Sequence, residues 1–395
     1  MILQLMETQR RIFRAFTAQA SLPLYELERT HVQKKHSRIR PFLRQRGFTK
    51  DPLCPQANVK PDELNFDGWR LAHAVKKAEC LRQMPFEFIQ RLGFILEHLP
   101  TLDWRRGNLR LQPGVARAYA DFAGSSLAGR IGQGIALLFM EAREYAFAAH
   151  YPRAAGTPGP DFIFEKIDRE DRALVEAKGA FVAPDVQPNI KSTLADGLHQ
   201  LSLADPLGSK KSYVVGSFLR ENGDQAEELS LVAFVDPDLF SSSDESPRDL
   251  VVRHNYAAWL DAMHLHYAAS DLRTRTHRDH PEPVRLHVVN LNGTAFGVVP
   301  IDAFLPYWFD ESFQLWPSTN GRLVVAGLPM RILARIGSAL ASPSSALTID
   351  EVSLISPFGP YLESPFKGSV LRDGSLLGSL PARVLVEAPL EEIRL

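Results

Sequence analysis

The spacing of apolar side chains changes several times along the middle of the chain, and each change marks an element. Over residues 129–149, Ile131, Ile135, Leu138 and Ala142 recur at helical spacing and predict one long helix. Phe162-Ile163-Phe164 is a short apolar and aromatic run suited to a strand that continues toward Ile167. The charged stretch Asp168-Arg169-Glu170-Asp171-Arg172 suits a hairpin turn. Ala173-Leu174-Val175-Glu176-Ala177-Lys178-Gly179 then returns as a second strand. A second helix is expected over 190–204, with Ile190, Leu194, Leu198 and Leu201 on one face and Asn189 as its N-cap. Two more strands follow before about residue 235, the first over 212–218.

On either side the pattern is different. Residues 1–122 read as a helical N-terminal domain, with apolar positions at helical spacing in 81–99. Residues 123–240 form the α/β core just outlined. The run Ser241-Ser242-Ser243-Asp244-Glu245-Ser246-Pro247 reads as an exposed linker. Residues 248–395 read as an α+β C-terminal domain of unassigned topology. It has a helix around 250–269, β-type segments at 285–290 and 322–326, and Gly/Pro punctuation near the end.

Composition narrows the class. The 395-residue chain is 45% hydrophobic and 23% charged, which argues against wholesale disorder. Its formal net charge is -1, so a nucleic-acid contact has to come from a local basic patch. Two cysteines, Cys54 and Cys80, cannot make a structural zinc site alone and are read as reduced thiols. The N-terminal run is broken by Glu7 and Arg10 and lacks the apolar core of a signal peptide. No stretch is long enough to span a bilayer, so a cytoplasmic protein that does not enter the membrane is expected.

The candidate chemistry lies on the strand pair. Side chains alternate faces along a strand, so Glu176 and Lys178 share one face and Val175 and Ala177 the other. Burying such charge in an apolar strand is costly unless it is paired or binds a metal. Asp161 follows the turn-forming run Gly156-Thr157-Pro158-Gly159-Pro160 and opens the first strand. A hairpin can therefore bring it close to Glu176. Two carboxylates meeting at a sheet edge repel unless a cation lies between them. Oxygen ligation of this kind suits Mg²⁺ or Mn²⁺.

Pro160-Asp161, fourteen residues, then Glu176-Ala177-Lys178 resembles the signature of the PD-(D/E)XK nuclease superfamily. The flanking helices and strands agree with that family's core order of helix, strand, strand, strand, helix, strand. The resemblance covers roughly 127–235. It implies a restriction-endonuclease-like αβββαβ core and Mg²⁺-dependent hydrolysis of DNA phosphodiester bonds. It also implies a role in restriction, phage defence or repair. By the same resemblance, Asp161, Glu176 and the backbone carbonyl of Ala177 hold the metal and Lys178 orients or helps deprotonate the attacking water.

Many family members add an acid from the preceding helix. The position aligned with it here is Gln133, which can offer a carbonyl oxygen but no charge. Glu141 and Glu144, later on that helix, could substitute, although each also suits a surface or salt-bridging role. Lys191 and Gln200 on the second helix match positions that some relatives use near the scissile phosphate. A solvated helix face is the plain alternative for both. Many relatives cut both strands as dimers, so a homodimer is within the expectation. Two other functions remain open: a nuclease-fold module that binds nucleic acid or a protein without cutting, which Gln133 favours, and an RNA-directed nuclease.

Gly129, Gly132 and Gly134 lack the preceding strand that a dinucleotide-binding turn needs, so close packing explains them better. No Walker-type loop is present, and no nucleotide cofactor is expected. His264, His266, His277, His280 and His287 lack a recognised metal-ligand spacing and read as a surface cluster. Residues 29–50 carry Lys34, Lys35, Arg38, Arg40, Arg44 and Arg46 without one acidic side chain. Such a patch suits a phosphate backbone, and a solvated helical face would account for the same charges. If the patch is a contact, charge reversal at Arg38, Arg40 and Arg44 weakens DNA binding and flattens its salt dependence. Unchanged affinity at low salt would remove the segment as a contact.

Overall fold

The computed structural model of the chain describes residues 15–27, 29–32, 63–82, 101–104, 107–118, 122–152, 158–168, 171–223, 229–237, 249–276, 283–301, 322–342, 344, 346–349 and 365–395. In chain order, apart from the four-residue helices Arg29–Val32 and Val115–Ala118, its first elements are β1 (Gln19–Glu26), β2 (Glu63–Asp67), α1 (Gly68–Leu81), β3 (Leu102–Asp103), β4 (Arg110–Leu111) and α2 (Phe122–Ala142). Next come β5 (Tyr145–His150), β6 (Phe162–Lys166), β7 (Arg172–Val182), α3 (Ile190–Ser202), β8 (Lys211–Arg220) and β9 (Leu231–Val235). The remainder is α4 (Leu250–Ala262), α5 (His266–Thr274), β10 (Pro283–Leu291), β11 (Thr294–Pro300), β12 (Arg322–Pro329) and α6 (Met330–Ala341). It ends with β13 (Lys367–Val370), β14 (Leu376–Pro381), α7 (Ala382–Glu387) and β15 (Leu390–Arg394). The class is mixed α/β. Among the described residues no helix is long and apolar enough to cross a membrane.

Seven strands form one mixed sheet in the order β2-β1-β9-β8-β7-β6-β5. β5, β6 and β7 are an antiparallel meander, whereas β7 and β8 run parallel from Ala173↔Lys211 to Val182↔Arg220. A parallel pair cannot be joined by a tight turn, and α3 supplies the crossover. Phe162, Ile163, Ala173, Leu174 and Val175 have no exposed surface. They are therefore covered on both sheet faces, which is why these runs read as continuous apolar stretches.

Three expectations change here. The helix expected over 129–149 is α2, and it stops at Ala142. Glu144 takes a left-handed φ of 71°, and Tyr145–His150 is the strand β5. A short, fully buried apolar run carries no period that separates strand from helix. The helical N-terminal domain is corrected as well, because β1 and β2 belong to the central sheet. β1 pairs in parallel with β9 and antiparallel with β2. In β1 Ala20, Leu22 and Leu24 are buried at alternate positions, but Pro23 between the last two is buried as well and breaks the period of two. The helix expected around 250–269 is two helices, α4 and α5, separated at His264, whose φ is 60°. Most of 81–99, the basic patch from Lys34 to Arg46, Cys54 and the linker 241–247 lie outside the described residues.

The second sheet is antiparallel throughout, in the order β13-β14-β12-β11-β10-β15. It is tied to the first through α1, a helix buried along its whole length. A buried charge must be answered by a partner, and α1 carries several. Lys77 Nζ lies 2.7 Å from Asp373 Oδ2 in the β13–β14 turn, and Asn255 Nδ2 of α4 donates to the same oxygen at 2.7 Å. Arg70 pairs with Glu141 of α2 at 2.8 Å, and the Arg372 N–H donates to the other Glu141 oxygen at 2.6 Å. The turn at 371–375 thus fixes α1, α2 and α4 together. Removing one partner from such a buried pair costs about 3–5 kcal/mol.

His73 of α1 sits inside this junction, its ring 4.5 Å from the Trp259 ring. Burial pushes its pKa down from 6.5 to about 3, with the charges of Asp373, Lys77 and Arg70 acting in opposite directions around it. The unfolded chain takes up this proton below about pH 6.5 and the folded chain does not. The contribution of neutral His73 is therefore complete above pH 6.5 and is lost as pH falls toward 3. His73→Phe, which keeps the ring contact, is expected to flatten the fall in stability across that window. Urea unfolding at a series of pH values checks this, and an unchanged slope would assign the acid sensitivity elsewhere.

Candidate active site

Pairing of β6 with β7 ends at Asp161. The last register pair is Phe162↔Val175, and beyond it the Asp161 N–H still donates to Val175 O at 3.1 Å. The next β7 donor, the Ala177 N–H, is accepted by the Asp161 side chain, through Oδ2 at 3.1 Å. A carboxylate thus replaces a backbone carbonyl in the ladder and lies against the peptide joining Glu176 to Ala177. Asp161 and Glu176 are almost completely buried, at 6% and 3% exposure.

Glu176 and Lys178 leave β7 on one face, and Lys178 Nζ lies 2.6 Å from Glu176 Oε1. The same ammonium donates to Gln200 Oε1 of α3. α3 can lie this close because Gly197 has no side chain. A Cβ there would stand 2.4 Å from Val214 Cγ1 and 3.3 Å from Glu176 Cγ. Gln200 follows one turn later on the helix and so reaches the strand residue two beyond Glu176.

From α2, Gln133 Nε2 donates to Asp161 Oδ1 at 3.3 Å. The same oxygen pairs with Arg82 Nη2, just past the end of α1, at 3.2 Å. Arg82 was not expected at the site. It reaches Asp161 because α1 and α2 cross in close contact at Gly134. A Cβ on Gly134 would lie 2.9 Å from the backbone N of Val75. The two buried acids are therefore each matched with one cation, Asp161 with Arg82 and Glu176 with Lys178. No sequence motif signals Arg82, which is 79 positions from its partner.

The remaining expected residues fall in different places. Glu141 is not brought to this cluster; its carboxylate is held by Arg70 and the Arg372 N–H. Glu144 is exposed beyond the end of α2, 4.0 Å from Lys166 Nζ. Both are thus corrected as substitutes for the missing helix acid, since α2 carries them past the site. Lys191 lies half-buried in the first turn of α3. Ala177 is in the cluster through its N–H. Among the described residues, no group of three or more His, Cys, Asp or Glu side chains is placed to hold a metal. Among the described residues the histidines form no metal-holding group: His264 and His266 meet edge to face at 6.0 Å, and His266 engages Asp261 at 3.0 Å. His287 lies in β10, and His277 and His280 are outside the described residues.

Comparison of the chain with protein-family models, with curated proteins and with solved structures found no match.

Proposed function

We propose that the chain is a metal-dependent nuclease with a PD-(D/E)XK core, hydrolysing DNA phosphodiester bonds. The order α2-β5-β6-β7-α3-β8 supports this reading, because it repeats the αβββαβ order that the motif implies. The observation that carries it is the Asp161 carboxylate seated on the Ala177 N–H, beside the Glu176–Lys178 pair. Two buried carboxylates from adjacent strands form an oxygen donor set of the kind hard divalent cations prefer. The Ala177 carbonyl and the Gln133 amide oxygen are neutral donors from the same neighbourhood. The residues present fit Mg²⁺ or Mn²⁺ in donor chemistry, with charge for one ion more readily than two.

Such an ion would lower the pKa of a bound water and offset charge on the phosphate oxygens. Lys178 is the residue left to orient that water. Gln200 holds its ammonium from the helix side, so the amine keeps its direction when Glu176 turns to other work. The side chain of Lys178 is 24% exposed, so it borders solvent while the acids do not. Gln133 positions Asp161 without adding a negative charge.

A second reading is a nuclease-fold module that binds nucleic acid or a protein without cutting. It is favoured by one observation: in place of a third acid, Asp161 meets the Gln133 amide and the Arg82 guanidinium. A cleavage assay on plasmid, linear and single-stranded DNA and on RNA, with Mg²⁺, Mn²⁺ or EDTA, separates these readings. The nuclease reading expects divalent-dependent DNA cleavage that falls by about 10²-fold or more in Asp161→Ala, Glu176→Ala and Lys178→Ala. Cleavage of RNA alone would move the substrate. Binding without cleavage in any metal would leave the second reading, and cleavage that survives all three changes would refute the assignment.

A further inference from the structure

We infer that Arg82 is a phosphate-binding arm, held on Asp161 until a divalent ion takes that carboxylate and then free to pair with the nucleic-acid backbone. The inference rests on the nuclease reading above and adds to it a residue from outside the motif-bearing segment. It begins with charge. Asp161 and Glu176, both buried, contribute two negative charges to the cluster, and Arg82 and Lys178 contribute two positive ones. The cluster is balanced as it stands. A divalent ion accepted by the two carboxylates gives the cluster an excess of two positive charges.

Arg82 is the cation best placed to leave. It shares Asp161 Oδ1 with the Gln133 amide, so its departure leaves that oxygen with a neutral donor. Its side chain is 37% exposed, against 24% for Lys178. Lys178 is fastened a second time by Gln200. Among the described residues the Arg82 guanidinium has no partner other than Asp161, while its backbone N–H caps α1 by donating to Glu79 O and Cys80 O. The base of the arm is therefore fixed and its tip can swing. A guanidinium released beside a newly positive site is repelled by the ion and attracted by an incoming phosphodiester. Its planar fork matches phosphate oxygens two at a time. The same change thus opens the metal position and presents an anion clamp next to it.

The alternative role for Arg82 is a permanent brace on Asp161, and the two roles move different observables. Mn²⁺ binding to the full chain, without nucleic acid, is followed by titration calorimetry for wild type, Arg82→Gln, Arg82→Lys and Asp161→Asn. DNA affinity is then measured in Ca²⁺ and in EDTA across a salt series. With the competing cation removed, Arg82→Gln is expected to bind Mn²⁺ about threefold to fivefold more tightly, the range a partly exposed ion pair allows. In Ca²⁺ the same variant is expected to bind DNA about tenfold more weakly, with a salt slope lower by about one. In EDTA, where Arg82 stays on Asp161, its DNA affinity should match wild type. Arg82→Lys should keep the wild-type Mn²⁺ affinity and recover part of the DNA affinity, since it retains the charge but not the fork. Weaker Mn²⁺ binding by Arg82→Gln, or a loss of DNA affinity equal in Ca²⁺ and EDTA, would overturn the arm while the nuclease reading stands. Wild type that takes up no Mn²⁺, or Mn²⁺ uptake unaltered in Asp161→Asn, would overturn the nuclease reading itself and the arm with it.

Discussion

Two carboxylates buried where two apolar strands part company must be answered by positive charge, and the rest of the architecture serves that requirement. An unpaired acid in such surroundings would take up a proton or unfold its neighbourhood. Here Asp161 and Glu176 stay in place because cations come to them from both sides of the sheet. Lys178 arrives along the strand itself, two residues on, and Arg82 arrives from the end of α1. The backbone contributes too, since the Ala177 N–H is spent on Asp161 and not on a neighbouring strand.

Bringing those cations within reach is a packing problem. α1 and α2 approach closely at Gly134, α2 approaches β7 at Gly132 and Gly179, and α3 approaches β8 and Glu176 at Gly197. A Cβ on Gly179 would stand 1.9 Å from Ala128 O, a backbone atom that has little room to give. α1 is held at other points as well. Lys77 meets Asp373, Arg70 meets Glu141, and the turn at 371–375 lies between α1, α2 and α4. The second sheet is thereby linked to the helices that deliver Gln133 and Arg82. Burial raises the Asp373 carboxyl, but the Lys77 charge and hydrogen bonds from Lys77, Ser375 and Asn255 outweigh it and hold it below the usual range.

Local pattern carried part of this and stopped where contacts became long-range. The strand alternation that puts Glu176 beside Lys178, the second helix and the strand after it could all be read from spacing, whereas the parallel pairing of that strand with β7 could not. β5 could not, because a five-residue buried run such as Tyr145 to Ala149 has no polar positions to reveal its period. β1 was hidden by Pro23 and by a partner, β9, more than two hundred positions away. The cluster's own additions were equally non-local. Arg82 meets an acid 79 positions on, and Glu141 meets Arg372 231 positions on. Those partners decide that one residue joins the site and the other leaves it. Of the three glycines near the start of α2 read as packing residues, Gly132 and Gly134 are so placed, since a Cβ on either would stand 2.9 Å from backbone of a neighbouring element, while a Cβ on Gly129 would meet open space.

The nuclease proposal requires Asp161 and Glu176 to be ligands to one divalent cation and not simply two salt-bridged acids. Crystals of the full chain grown with Mn²⁺ and measured at the manganese absorption edge test it directly. An anomalous peak coordinated by oxygens of Asp161, Glu176 and the Ala177 carbonyl is expected. Crystals equilibrated with the ion that show no peak there, with both acids still on Arg82 and Lys178, would contradict it.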